Sequence, residues 1–353
     1  LFKLTARINH LKKAEELLEK VRLTPMPDHA PVLRQLARVY ISQHRFCEAL
    51  DVAMQALETG SGMRETQLLL CDIYAELGFA AEENYLLHQL AREQEDAHLK
   101  IRLAKWADGI GRLDQTIELM EEVKQKAIST RQESLLNWSY TNLGDFYGHA
   151  GEIDKAAAHY LKALEINPAD WYAVKGLAWI LYSHEEKPTE ALSLLEAASQ
   201  WSDDPGIELL QAEIWMFMGA TELALKKHAE IAMRVQSPEY GRMYSEFLCD
   251  FFLDNDQPEK ALELASEEIR QRAVPSSFAM LIDVYLSQGD TLQARRMSQD
   301  HIWHQTFEPK LLLKQVSFFS VTDLSYIQDI KAELSEARFE LGPVRYAAML
   351  GKY

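Results

Sequence analysis

The chain has 353 residues, 47% of them hydrophobic, and a formal net charge of −17. That acidity excludes the basic field a phosphate backbone requires, and no apolar run approaches the roughly 18 residues that cross a bilayer. Three scattered cysteines, Cys47, Cys71 and Cys249, give no disulfide framework, which suits a reducing cytosol and a periplasm equally well.

The apolar period is helical throughout, with turns marked by Gly, Pro and Asp. From Asn9 to Arg22, Leu11, Ala14, Leu18 and Val21 share one face of a predicted helix. It reads as the second helix of a partial repeat whose first helix would precede Leu1. Eight helix–turn–helix units follow, starting near Ala30, Arg64, Ala97, Asn137, Trp171, Pro205, Arg242 and Pro275.

A small or tightly packed site recurs on the first helix of each unit: Ala37, Cys71, Ala104, Gly144, Ala178, Ala212, Cys249 and, less typically, Ile282. Three residues later come Tyr40, Tyr74, Ala107, Tyr147, Leu181, Trp215, Phe252 and Tyr285. The second helix repeats an alanine at Ala49, Ala156, Ala191 (one residue late), Ala224, Ala261 and Ala294, replaced by Glu83 and Thr116 in the second and third units. Glycine marks the turn inside a unit at Gly78, Gly111, Gly151, Gly219 and Gly289, where a left-handed backbone is least costly for it. Further on, the apolar run Leu311, Leu312, Leu313, Val316, Phe318 and Phe319 reads as a buried final helix, with a homodimer contact as the alternative. Leu324, Ile327, Ile330, Leu334 and Ala337 then form an apolar stripe against Asp323, Asp329, Lys331 and Glu333, the pattern of an amphipathic helix that shields a terminal apolar face.

The fourth unit is the most complete: Tyr140, Leu143, Gly144, Tyr147, a turn at Gly151, then Ala156, Tyr160, Ala163 and a terminating Pro168. These residues at these spacings resemble the tetratricopeptide repeat, and the resemblance extends over about residues 30–308. It implies an all-α, right-handed solenoid in which each helix pair packs only on its neighbours. Residues 1–29 would then be a partial repeat, 30–308 the array of eight repeats, and 309–353 C-terminal helices that cap it.

The resemblance also implies a concave groove lined by first-helix residues off the packing stripe. Carried onto this sequence, the groove takes Arg34 and Arg38 from the first unit, and His98, Arg102 and Lys105 from the third. Trp138, Asn142 and Asp145 follow, then Tyr172, Lys175, Trp179 and Tyr182, then Glu213, Met216 and Phe217. Glu246, Asp250, Asp254 and Asp283 complete it. The groove is thus expected to be basic early, aromatic in the middle and acidic late, in step with net charges of −3 for residues 1–136 and −14 for 137–353. A ligand with an acidic stretch, an apolar anchor and a basic stretch would complement it. The competing expectation is that Trp179 and Tyr182 only fill gaps between helices.

The expected function is a non-catalytic protein- or peptide-binding scaffold, with no cofactor, metal, nucleic acid or membrane insertion. The alternative is a docking or regulatory segment of a larger enzyme or regulator. Gly60-Ser61-Gly62 lacks the lysine of a phosphate loop, and neither a Gly-x-Ser-x-Gly elbow nor a converging Ser, His and Asp set is present. His301 and His304 sit three apart on a predicted helix, and His44 and Cys47 near a turn, each without a further ligand. Tetratricopeptide modules that clamp chaperone C-termini use Lys and Asn, then Asn, then Lys and Arg. Here Arg34 and Arg38, then Leu69, then His98 and Arg102 stand in those places, and Leu69 removes the amide. The stretch Trp171–Val274 is similar to exported repeat proteins of bacterial envelopes, on its aromatic fifth unit and an expected helix at Met243–Tyr244, which favours export.

Overall fold

In the computed structural model the described residues are 2–319, 328, 330–332, 334–335 and 337–351. α1 (Phe2–Thr5) and α2 (Ile8–Arg22) come first, and Leu11 and Leu18 of α2 pack inward while Val21 is exposed. Then come eight helical hairpins: α3 (Ala30–Ser42) with α4 (Phe46–Glu58), α5 (Met63–Leu77) with α6 (Ala80–Glu93), α7 (Ala97–Gly109) with α8 (Leu113–Thr130), and α9 (Glu133–His149) with α10 (Ile153–Ile166). They continue as α11 (Trp171–Ser183) with α12 (Pro188–Ala198), α13 (Pro205–Phe217) with α14 (Thr221–Val235), α15 (Ser245–Asp254) with α16 (Pro258–Gln271), and α17 (Pro275–Ser287) with α18 (Thr291–His301). α19 (Pro309–Phe319) and α20 (Arg338–Gly351) close the chain. The fold is the expected all-α solenoid, and no helix among the described residues is long and apolar enough to cross a membrane.

Each hairpin is held at the sites the sequence marks. The eight small-site residues and the six second-helix alanines are all buried. In the third unit Thr116 replaces alanine and is buried too, its hydroxyl donating to the Ala104 carbonyl at 3.2 Å, which satisfies the polar group. The ring of Tyr160 fills the space that Gly144 and Gly176 leave: a Cβ on either would lie within 2.5 Å of it.

The turn inside seven of the eight units closes by the same device. The carbonyl of the residue three places after the small site (Tyr40, Tyr74, Ala107, Tyr147, Trp215, Phe252 and Tyr285) accepts from the amide five residues on, at 2.8–2.9 Å. This is the longer bond of a Schellman motif, and it needs a left-handed residue after the helix. Five units use the glycines expected; His44, Glu186 and Asp256 adopt the same positive φ in the other three. In the fifth unit Lys187 donates to Leu181 across one additional residue, which is why Ala191 arrives late.

The units do not contact only their neighbours. The amide of Asp203 donates to the Thr5 carbonyl, and that of Arg242 to the Gln43 carbonyl, both at 2.9 Å. Cys47 Sγ donates to the Gln271 carbonyl at 3.2 Å, and Arg272 pairs with Glu76 at 3.3 Å. Gly78 lies against Val274 and Gly111 against Phe307. Arg272 and Glu76 are 196 residues apart, and most of these contacts keep nearly that offset, about six units. The solenoid therefore completes a turn in about six units, and the within-unit turns of the early hairpins rest on the inter-unit connections one coil later.

At the C-terminal end, Leu312, Ile330, Leu334 and Leu341 form one buried cluster, and Leu311 and Ala337 are buried as well. Leu324 and Ile327 of the expected stripe lie outside the described residues, as do the side chains of Val316, Phe318 and Phe319. α20 then runs back along α9, α11 and α13, kinked where Gly342 takes φ 69° ahead of Pro343.

Candidate functional site on the first-helix wall

The expected groove residues all lie on first helices, and many of them have partners within the chain. Arg34 donates to the Ser61 carbonyl at 3.0 Å and so braces the connection before α5. Arg38 and His98 are exposed. Arg102 binds Asp72 at 2.6 Å and the Leu68 carbonyl at 3.2 Å, and Lys105 lies 3.7 Å from the same Asp72. Asp72, which periodicity did not single out, thus offsets part of the basic early stretch. Glu83 stands nearby, and burial followed by Asp72 pushes its carboxyl up to about 7.

In the middle stretch, Trp138 and Asn142 line a hollow of about 520 Å³ between the start of the chain and α9 and α11. Tyr172 donates to Asp145 at 2.8 Å, and Lys175 sits over the rings of Trp171 and Tyr172 while lying 3.6 Å from Asp204. Tyr182 is 0% exposed, wedged edge-on between Trp179 and Phe217, with its hydroxyl donating to Glu213 at 3.4 Å. Met216 is half-buried and Phe217 exposed.

Trp179 has a partner that the sequence did not announce. Its indole Nε1 donates to the Phe339 carbonyl at 2.8 Å. The Phe339 ring lies so close to Gly148 that a Cβ there would come within 2.2 Å, and it meets Trp179 edge to face. A Cβ on Gly342 would sit 2.6 Å from the indole. Arg345 reaches Glu213 at 3.5 Å. The acidic late stretch is met likewise: Lys310 lies 3.8 Å from Glu246, and Lys314 bonds Asp283. An apolar anchor and a basic stretch, the ligand chemistry expected for this groove, are thus supplied by the chain's own last helices. Asp254 remains exposed.

Beside α20 a hollow of about 510 Å³ remains, lined among others by Tyr172, Trp179, Glu213, Glu308, Lys310 and Phe339. Its ionisable groups are strongly perturbed. Burial, then Asp108 and Glu308 as neighbouring carboxylates, pushes Glu340 up to about 7. Burial drives His149, 3.9 Å from Glu340, down to about 4. Asp145 and Glu213 are raised by burial. Outside the hollow, burial with nearby Asp283 and Glu246 pushes Asp250 up to about 6.

Other sequence features resolve as packing. His301 stacks flat on Phe278 with ring centroids 3.7 Å apart, while His304 lies past the end of α18 at φ 56°, so the two do not share a helix. Among the described residues no group of three or more His, Cys, Asp or Glu is placed to hold a metal ion. Met243 and Tyr244 lie in a turn, because Pro238–Tyr240 forms a 3₁₀ turn and α15 begins only at Ser245.

Comparison with known proteins adds a family match. The model of the tetratricopeptide repeat family matches residues 138–170. Superkiller protein 3 of Schizosaccharomyces pombe is 30% identical over 128 residues, which are 35% of this chain and only 9% of that protein's length. Among solved structures, a human IFIT1 dimer with m7Gppp-AAAA is similar at TM-score 0.46 and 13% identity, covering 98% of this chain and 85% of that one. Yeast Tom70 is similar at TM-score 0.46 and 14% identity, covering 99% and 88%. PilW, a type IV pilus biogenesis factor, is similar at TM-score 0.45 and 18% identity, covering 61% and 97%. Repeats of this type build protein-interaction scaffolds.

Proposed function

We propose that this chain, a tetratricopeptide-repeat protein, is a non-catalytic scaffold that binds a segment of another protein along its first-helix wall. The observation that carries the proposal is that this wall already holds a peptide segment, residues 339–345, through an aromatic anchor, a main-chain hydrogen bond and an ion pair. Rigid aromatic rings and paired charges of this sort are what peptide recognition draws on. A net charge of −17 supports a protein partner over a nucleic acid.

The early wall offers the clean test, since Arg38 and Lys105 are exposed and lie away from the segment 339–345. Intact chain and an Arg38→Glu, Lys105→Glu variant of unchanged helicity would be used as bait in source lysate, with mass spectrometry as the readout. A partner kept only by the intact chain supports wall binding. The same partner kept equally by both would overturn it.

A further inference from the structure

The segment from Phe339 to Arg345 is not an ideal occupant of the wall it covers. Three residues, each three apart, face the array: Phe339 on Gly148, Gly342 on Trp179 and Arg345 on Glu213. Leu341 faces the other way, into the cluster with Leu312 and Leu334. Glu340 is the misfit. It is carried into a half-buried site where Asp108 and Glu308 are like charges and the base 3.9 Å away is the half-buried His149, with Lys175, Lys310 and Arg345 elsewhere on the lining. A hollow of about 510 Å³ is left unfilled beside it.

Local conflict of this kind is what a displaceable occupant shows, because a better-matched competitor gains whatever the resident segment forgoes. The resident has the advantage of tethering, which supplies a millimolar effective concentration without any contact of its own. A partner must therefore beat it by chemistry.

Resting on the scaffold reading above, we propose that the wall formed by α9, α11 and α13 binds a partner-protein segment with an aromatic anchor, a glycine three residues on and an arginine six residues on. The residue after the anchor is uncharged or basic, and the chain's own segment 338–346 is the competitor that this partner displaces. The aromatic ring takes the Gly148 slot, the glycine passes under Trp179, and the guanidinium pairs with Glu213. The uncharged or basic residue removes the repulsion that Glu340 meets.

The test uses the full chain and a fluorescent peptide of residues 336–349 in which the residue matching Glu340 is glutamine. Phe339→Ala with Arg345→Glu loosens the resident segment and leaves the wall intact. The peptide is expected to bind that variant at least tenfold more tightly than the intact chain. Binding is lost when the peptide's phenylalanine is changed to alanine, or when Gly148→Ala is added to the variant. Should the variant not fold, the intact chain suffices: millimolar peptide should speed amide hydrogen exchange within residues 338–347. Absence of binding to a folded variant, or unchanged exchange in the intact chain, overturns the proposal. A second copy's segment as the true occupant would instead show as dimerisation of the intact chain with no peptide binding, which also overturns it. Failure here with the lysate partner still lost on Arg38→Glu, Lys105→Glu substitution leaves the scaffold reading standing.

Discussion

The indole Nε1 of Trp179 donates to the main-chain carbonyl of Phe339 at 2.8 Å, joining residues 160 positions apart. Because the acceptor is backbone, the bond fixes the path of the C-terminal segment and is indifferent to its side chains. Trp179→Phe keeps an aromatic ring on the Phe339 side and deletes the donor together with the part of the indole that lies against Gly342. A neutral hydrogen bond is worth about 1 kcal/mol, so amides of the segment should exchange roughly fivefold faster while those of α11 are unchanged. Unaltered exchange would mean that the bond does not hold the segment.

Acidity should tune the same contact. Glu340 has its value raised in the docked state, so its contribution is fully present below its ordinary value of 4.5 and is lost as pH rises through about 7. His149, lowered to about 4, acts oppositely: its contribution is present above 6.5 and is lost as pH falls towards 4. The two slopes oppose each other in mild acid, and above neutrality only the Glu340 penalty remains. Glu340→Gln should therefore slow exchange of residues 338–347 several-fold at pH 8, with the difference from the parent shrinking towards pH 5. A difference independent of pH would contradict this account.

Tyr160 tests the core. It is 2% exposed, its hydroxyl bonds Asp145 at 2.5 Å, and Gly144 and Gly176 flank its ring. With the ring pinned at both ends it has little room to yield, so Gly176→Ala overpacks the joint between the fourth and fifth units. Chemical denaturation should show a loss of about 1–3 kcal/mol.

The left-handed turn position separates backbone strain from packing. Nothing lies within 4 Å of a Cβ placed on Gly151, whose φ is +73°, so Gly151→Ala should destabilise by about 1 kcal/mol through the backbone alone. At the matching place in the fifth unit Glu186 has φ 56°. Glu186→Gly should stabilise by about 0.5 kcal/mol once the greater freedom of glycine in the unfolded chain is set against the strain. Thermal melts moving in the same direction for both would sink the argument.

Contact between coils can be broken at one atom. A Cβ on Gly241 would fall 2.4 Å from the Gln43 carbonyl oxygen, the group that accepts from the Arg242 amide. Gly241→Ala should raise the radius of gyration in small-angle scattering while far-ultraviolet circular dichroism stays the same. An unchanged radius would show that the coil closes without this contact.

The hairpins were legible because their determinants are local: a small residue, a large one three places on, and an alanine nine beyond the large one all act inside a single unit. Even the late Ala191 carried information, since it marked the additional residue that Lys187 and Leu181 span. Periodicity tells which face of a helix is buried, but not which distant segment covers it. Hence the full burial of Tyr182 and the ion pair of Asp72 with Arg102 were not legible in the sequence. Gly342-Pro343 inside an otherwise helical stretch was the available sign that the last helix bends to follow a surface.

The coil contacts also set an order of assembly. Each hairpin closes a loop of about thirty residues, whereas joining Arg272 to Glu76 closes one of 196. Closure entropy grows with the logarithm of length, which makes the long loop dearer by about 1.7 kcal/mol before any contact rewards it. Helices and hairpins should accordingly form first, wherever they nucleate, and the coil should shut afterwards as a separate, slower relaxation invisible to helicity. An array of short-range parts thereby acquires the folding kinetics of a long-range fold.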